Sequence, residues 1–133
     1  MRPALTVLQL DTDFPRVAGD VGCADTYQTD VEIVRIPTAT VAQIVTNRPE
    51  KIDISPFEEA LKRAEGEVIT TSCGFLSYWQ RHLETLTEKP FISSSLIALD
   101  HLSQCYTPEE LIILTFDAES LTPAHLGKHA SYA

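Results

Sequence analysis

Short runs rich in apolar and β-branched residues alternate along this chain with longer helix-like stretches, and few folds accommodate that order. Ala4–Leu10 is almost continuously apolar, as expected of a strand covered on both faces. Val31–Ile36 reads as a second strand, nearer an edge because Glu32 and Arg35 interrupt it. Val68–Thr71 is the third, Pro90-Phe91-Ile92 begins a fourth and Leu111–Phe116 a fifth. Between them lie helical stretches. Ala39–Thr46 forms a short one, and Ser55 caps another that opens on Pro56, carries Glu58 as the reciprocal cap and ends at Gly66. Gly74 to about Thr87 and Ser94–Ser103 are two more, and a last helix starts near Ala118. Strands separated by helices require crossover connections, which place the strands parallel and the helices on the sheet's faces. The expected fold is an α/β, three-layer α/β/α sandwich with a mostly parallel sheet.

Composition narrows the function classes. The 133 residues hold 19 Asp+Glu against 10 Lys+Arg, a formal net charge of −9, which repels phosphate backbones and anionic bilayers. No nucleic-acid or membrane partner is expected. The N-terminus reads as a strand and not as a signal peptide, and no apolar run reaches the length of a membrane helix. The three cysteines, Cys23, Cys73 and Cys105, have neither disulfide nor zinc-site spacing, which suits the reducing cytoplasm. His125 and His129, four apart, have Gly127 between them and read as a frayed tail, so no metal is expected.

In a parallel sheet, ligands bind beyond the carboxyl ends of the strands. Those ends carry Asp11, Thr12 and Asp13 after the first strand and Thr71, Ser72, Cys73 and Gly74 after the third. Ser93, Ser94 and Ser95 follow the fourth. Hydroxyls, glycines and free N–H groups on adjacent turns suit a small carboxylate. Each alone is an ordinary cap; their gathering on one edge is what marks a site. Cys73 is the sharpest candidate. It follows a strand at a helix start, where the helix dipole and unpaired N–H groups favour thiolate, although a buried cysteine acting as a small hydrophobe is the commoner fate. Gly74 beside it leaves room for a substrate.

The turn Ile69-Thr70-Thr71-Ser72-Cys73-Gly74-Phe75-Leu76, the stretch Pro90–Leu96 with its serine triplet, and Ile112–Ala118 with Leu121–Leu126 resemble the aspartate/glutamate racemase superfamily. Leu8–Arg16 with Gly19-Asp20-Val21-Gly22 resembles its racemase-like uncharacterised branch. The resemblance implies a flavodoxin-like racemase half and amino-acid racemization, an isomerase reaction in which one cysteine thiolate removes the α-proton and a second cysteine reprotonates the other face. It implies no cofactor. It makes Cys73 the catalytic thiolate, and Asp11, Thr12, Asp13, Thr71, Ser72, Gly74 and Ser93–Ser95 the substrate-binding turns.

The same resemblance divides the chain into a racemase-like domain over 1–108 and, over 109–133, the strand and helix that begin a truncated second domain. Family enzymes place the second cysteine in that second domain. The expectation is therefore a half-site completed by a homodimer, with Cys23 from either subunit as the second acid/base. The alternative is a truncated, inactive relative that binds a small carboxylate or only self-associates.

Overall fold

The computed structural model describes residues 2–132. Its centre is a four-stranded, all-parallel sheet with β1 Leu5–Gln9, β2 Val31–Arg35, β3 Val68–Thr71 and β4 Phe91–Ile92 in the order β2-β1-β3-β4. The class is α/β, with helices joining the parallel strands. β1 is an interior strand, paired on both sides, and Thr6, Val7 and Leu8 are fully buried in it. Its register aligns Leu8 with Val34 on one side and Thr71 on the other. From β1 the chain goes to β2 on one side, then crosses back over β1 to β3 on the other and continues to β4. Such a reversal opens a crevice at the carboxyl ends of the two strands where it occurs, here β1 and β3.

The helices are α1 Val41–Ile44, α2 Ser55–Arg63, α3 Gln80–Glu84, α4 Leu99–Leu102 and α5 Pro123–Leu126. α2 is the only one of these with more than two turns. Phe57 and Leu61 project from it into the core with Leu8, Ile69, Leu76 and Leu83. Its cap differs from the expectation. Ile54 is the N-cap and Ser55 lies within the helix, where the Asp53 carboxylate accepts from the Ser55 N–H (3.1 Å) and hydroxyl (2.7 Å).

Two long helices expected from the sequence are broken. The stretch after Cys73 is a 3-10 turn, Gly74–Trp79, and becomes α-helical only at α3. A glycine followed by Phe75, Tyr78 and Trp79 has low helix propensity, and burial of Phe75, Leu76 and Ser77 sets its path instead. The Ser94–Ser103 stretch likewise divides into a 3-10 turn, Ser95–Ala98, and α4.

The expected fifth strand does not form. Residues 111–115 have no regular secondary structure, Phe116 is at a bend, and residues 112–116 make no backbone hydrogen bond to another described residue. Strand status requires a paired neighbour, and the apolar run supplies only the composition of a strand. Ile112, Leu114 and Phe116 are 87%, 92% and 74% exposed. The chain then returns through α5 to the 3-10 turn after Cys73. There the Ser77 hydroxyl donates to the His125 carbonyl (2.6 Å), and the His125 ring packs edge-on to Phe75. Among the described residues, no helix is long and apolar enough to cross a membrane.

Candidate functional site

A cavity of about 260 Å³ opens at the carboxyl ends of β1 and β3. Leu10 and Thr12 reach it from β1, Ser72, Cys73 and Gly74 from β3, and Ser94, Ser95 and Leu96 from β4. Val41 and Val45 wall one side, while Phe14, Arg16 and Phe116 bring aromatic and cationic groups to it. A wider cavity of about 590 Å³ lies between α3, α4 and α5 and contains no cysteine.

The turns are tied together beneath this cavity. Thr71 Oγ1 donates to the Ser93 carbonyl (2.6 Å) and accepts from the Cys73 N–H (3.2 Å). The Ser93 N–H donates to Gln80 Oε1 (2.7 Å), and the Gln80 amide donates to the Phe91 carbonyl (2.8 Å). A Cβ built on Gly74 would lie 3.5 Å from Ser94 Oγ, so the β3 and β4 turns face each other closely. Ser72 Oγ accepts from the Leu10 N–H (3.3 Å) and Ser94 Oγ from the Leu96 N–H (3.0 Å). Each hydroxyl thereby keeps its own proton available to donate to a ligand.

The turn does not activate Cys73 in the way expected from its position. Burial pushes the thiol up, and the Phe75 and Leu76 backbone groups pull it down only in part. One short 3-10 turn supplies little dipole, so loss of water around a mostly buried sulfur dominates.

Of the residues singled out from the sequence, Thr12, Ser72, Cys73, Gly74, Ser94 and Ser95 line the cavity together. Thr71 and Ser93 brace it from below. Asp11 and Asp13 turn outward, where Arg35 clamps both: its Nε donates to Asp11 (2.7 Å) and its Nη2 to Asp13 (2.8 Å). Cys23, half-buried, caps the 3-10 turn Ala24–Thr26 and is not among the residues lining the cavity.

Arg16, Phe14 and Phe116 escaped sequence reasoning. Arg16 Nη1 donates to both Asp20 oxygens (2.9 and 3.1 Å), Nη2 donates to Thr12 (3.0 Å), and the guanidinium lies 4.4 Å from the Phe14 ring centroid. The Arg16-to-Asp20 spacing was the one available signal, and in a loop it carries little weight.

The chain is similar to proteins named dimethylsulfoniopropionate lyase. It is 34% identical over 126 residues to dimethylsulfoniopropionate lyase 7 of Emiliania huxleyi, a match covering 91% of this chain and 37% of that protein. It is 28% identical over 127 residues to dimethylsulfoniopropionate lyase of Durusdinium sp. clade D, covering 92% and 42%. Dimethylsulfoniopropionate lyase 3 of Emiliania huxleyi is 32% identical over 126 residues, covering 91% and 33%. The chain thus spans about two-fifths or less of the length of these curated relatives. No family model and no solved structure matches it.

These similarities overturn the assignment to the aspartate/glutamate racemases. They extend over nine-tenths of the chain and point to a different family, and nothing supports amino-acid racemization or isomerase chemistry. The physical reason for the misreading is plain. A cysteine among small hydroxylic residues at the end of a parallel strand suits proton abstraction beside a carboxylate in general, and a turn of eight residues does not specify which bond then breaks.

Proposed function

We propose that this chain carries the proton-abstracting site of a dimethylsulfoniopropionate lyase. The substrate is a small zwitterion with a carboxylate at one end and a dimethylsulfonium cation at the other. The cavity supports this reading because it combines the same complementary features. Ser72, Ser94 and Ser95 offer hydroxyls, Phe116 offers a ring face for a cation while Phe14 already stacks on the Arg16 guanidinium, and Cys73 lies between the β1 and β4 turns. The single observation that carries the proposal is this combination of a cysteine, three serines and two aromatic rings around one small cavity.

In the proposed reaction the Cys73 thiolate takes the proton from the carbon next to the carboxylate. The C–H electron pair becomes the new C=C bond, and the C–S pair leaves with dimethyl sulfide. Acrylate remains, and the proton stays on Cys73 until solvent removes it. Hydroxyl donors on the carboxylate oxygens stabilise the charge that builds there as the proton departs. A bound sulfonium beside the sulfur favours thiolate, opposing the effect of burial.

Two further elements belong to this reading. The helices cover both faces of the sheet as a three-layer sandwich. The protein works in the cytoplasm as a homodimer, its three free cysteines being compatible with a reducing compartment. The test is release of dimethyl sulfide, measured in the headspace over the purified chain with dimethylsulfoniopropionate. Release that Cys73→Ala abolishes is expected. Absence of both release and saturable binding of dimethylsulfoniopropionate overturns the proposal, whereas binding without release leaves a carboxylate-binding protein.

A further inference from the structure

We infer that Arg16 is the substrate-anchoring residue of this cavity and that its Nε–H receives the ligand's carboxylate; the inference rests on the lyase reading only for the identity of that carboxylate. The guanidinium is already fixed on one side. Asp20 holds Nη1 and Thr12 holds Nη2, while Asp20 is itself held by the Gly22 N–H (2.7 Å). Gly22 lies so close to Gln9 that a Cβ there would collide with its side-chain oxygen, and would stand 3.4 Å from Arg16 Cζ. The loop therefore presses Arg16 into place from behind, and Phe14 stacks against it.

What this arrangement leaves over is a donor. Arg16 Nε is buried and has no hydrogen-bond partner among the described residues, although the residue lines the same cavity as Cys73. Buried donors are almost always satisfied, and a guanidinium N–H without an acceptor in a small cavity calls for an anionic one. A carboxylate placed on Nε–H and the second hydrogen of Nη2 makes the planar, two-point contact that arginine forms best. Asp20 offsets much of the positive charge, so the site binds a small monocarboxylate reversibly and releases an anionic product. With the carboxylate anchored at Arg16, the carbon next to it is the one presented to the turns that carry Cys73 and the serines.

Propionate and its neutral counterpart propionamide are the probes. In the folded wild-type chain, the Arg16 Nε–H resonance is expected to shift on titration with propionate and to stay in place with propionamide. Arg16→Gln should weaken propionate binding at least about tenfold, equivalent to about 1.4 kcal/mol. Arg16→Lys, which keeps the charge but lacks the Nε–H, should lose most of the same affinity, and Cys73→Ala should retain it.

If dimethyl sulfide is released, Arg16→Lys should raise KM far more than it lowers kcat. An unmoved Nε–H resonance at saturating propionate overturns the inference, as does wild-type affinity in a folded Arg16→Gln. Propionate binding that depends on Arg16 without any lyase activity would sink the proposed reaction and leave the anchor standing. Lyase activity with unchanged KM in Arg16→Lys would do the reverse.

Discussion

Thr71 Oγ1 stands 2.6 Å from the Ser93 carbonyl oxygen and 3.2 Å from the Cys73 nitrogen, so one buried hydroxyl joins the ends of β3 and β4 beneath the candidate base. Thr71→Val keeps the shape and removes the hydroxyl, leaving a buried carbonyl and a buried N–H unpaired. The expected loss is about 1–3 kcal/mol of stability in a denaturant titration. Turnover should fall more than the stability loss explains, because the turn that aims Cys73 is no longer tied to the serines. Unchanged stability and unchanged Cys73 alkylation rates would show that the tie does not matter.

Burial raises the Cys73 thiol above the ordinary range, and this fixes the direction of two pH effects. Alkylation of Cys73 by iodoacetamide in the folded free protein should climb with pH along a limb displaced above that of the same thiol in the urea-unfolded chain. The folded state also binds this proton more tightly than the unfolded chain. Its stabilising contribution is complete below the unfolded thiol value and is lost as pH rises through the folded one. Mass spectrometry of the alkylated Cys73 peptide across pH, with and without urea, checks this. A folded-state limb at or below that of the unfolded chain contradicts the expectation.

His125 acts in the opposite pH range. Burial lowers it, opposed by the Thr122 and Thr46 backbone and by the Glu50 charge, and Nδ1 accepts from the Thr122 N–H (2.9 Å). The folded protein therefore holds the neutral ring, whose contribution is present above the ordinary histidine value and is lost as pH falls from there through the lowered folded value. Thermal unfolding followed between pH about 7.5 and about 5 should show a falling midpoint. His125→Asn, which retains a carbonyl acceptor for Thr122, should flatten that slope. A slope identical in the variant assigns the acid sensitivity elsewhere.

The segment 111–116 exposes Ile112, Leu114 and Phe116, and its Ile113, Leu114, Thr115 and Phe116 also line the cavity. Covering side chains of this size is worth on the order of 1.5–3 kcal/mol each, and the segment's unpaired backbone can take a strand. In the proposed homodimer this face meets its counterpart on a second copy. Light scattering should give the mass of two chains, with added salt favouring association because each copy carries a charge of −9. Leu114→Asp should weaken association by about tenfold or more. A wild-type monomer at micromolar concentration rules this interface out.

The sequence by itself determined the α/β class, since short strand-like runs such as Leu5–Gln9 alternate with helix-like stretches and so require crossover connections. It also determined which turns would meet, because parallel strands deliver all their carboxyl ends to one edge and so gather Ser72, Cys73, Ser94 and Ser95. Everything that depended on contact between distant segments was decided by tertiary structure. Leu111–Phe116 has a strand's composition and no partner, because pairing is supplied by a neighbour and not by the run itself. Asp11 and Asp13 were claimed by Arg35, 24 and 22 residues further along the chain, and Arg16 lines the cavity with its guanidinium held by Asp20 and Thr12. For Cys73, local position favoured thiolate and burial reversed it, since desolvation of a mostly buried sulfur outweighs the dipole of one 3-10 turn.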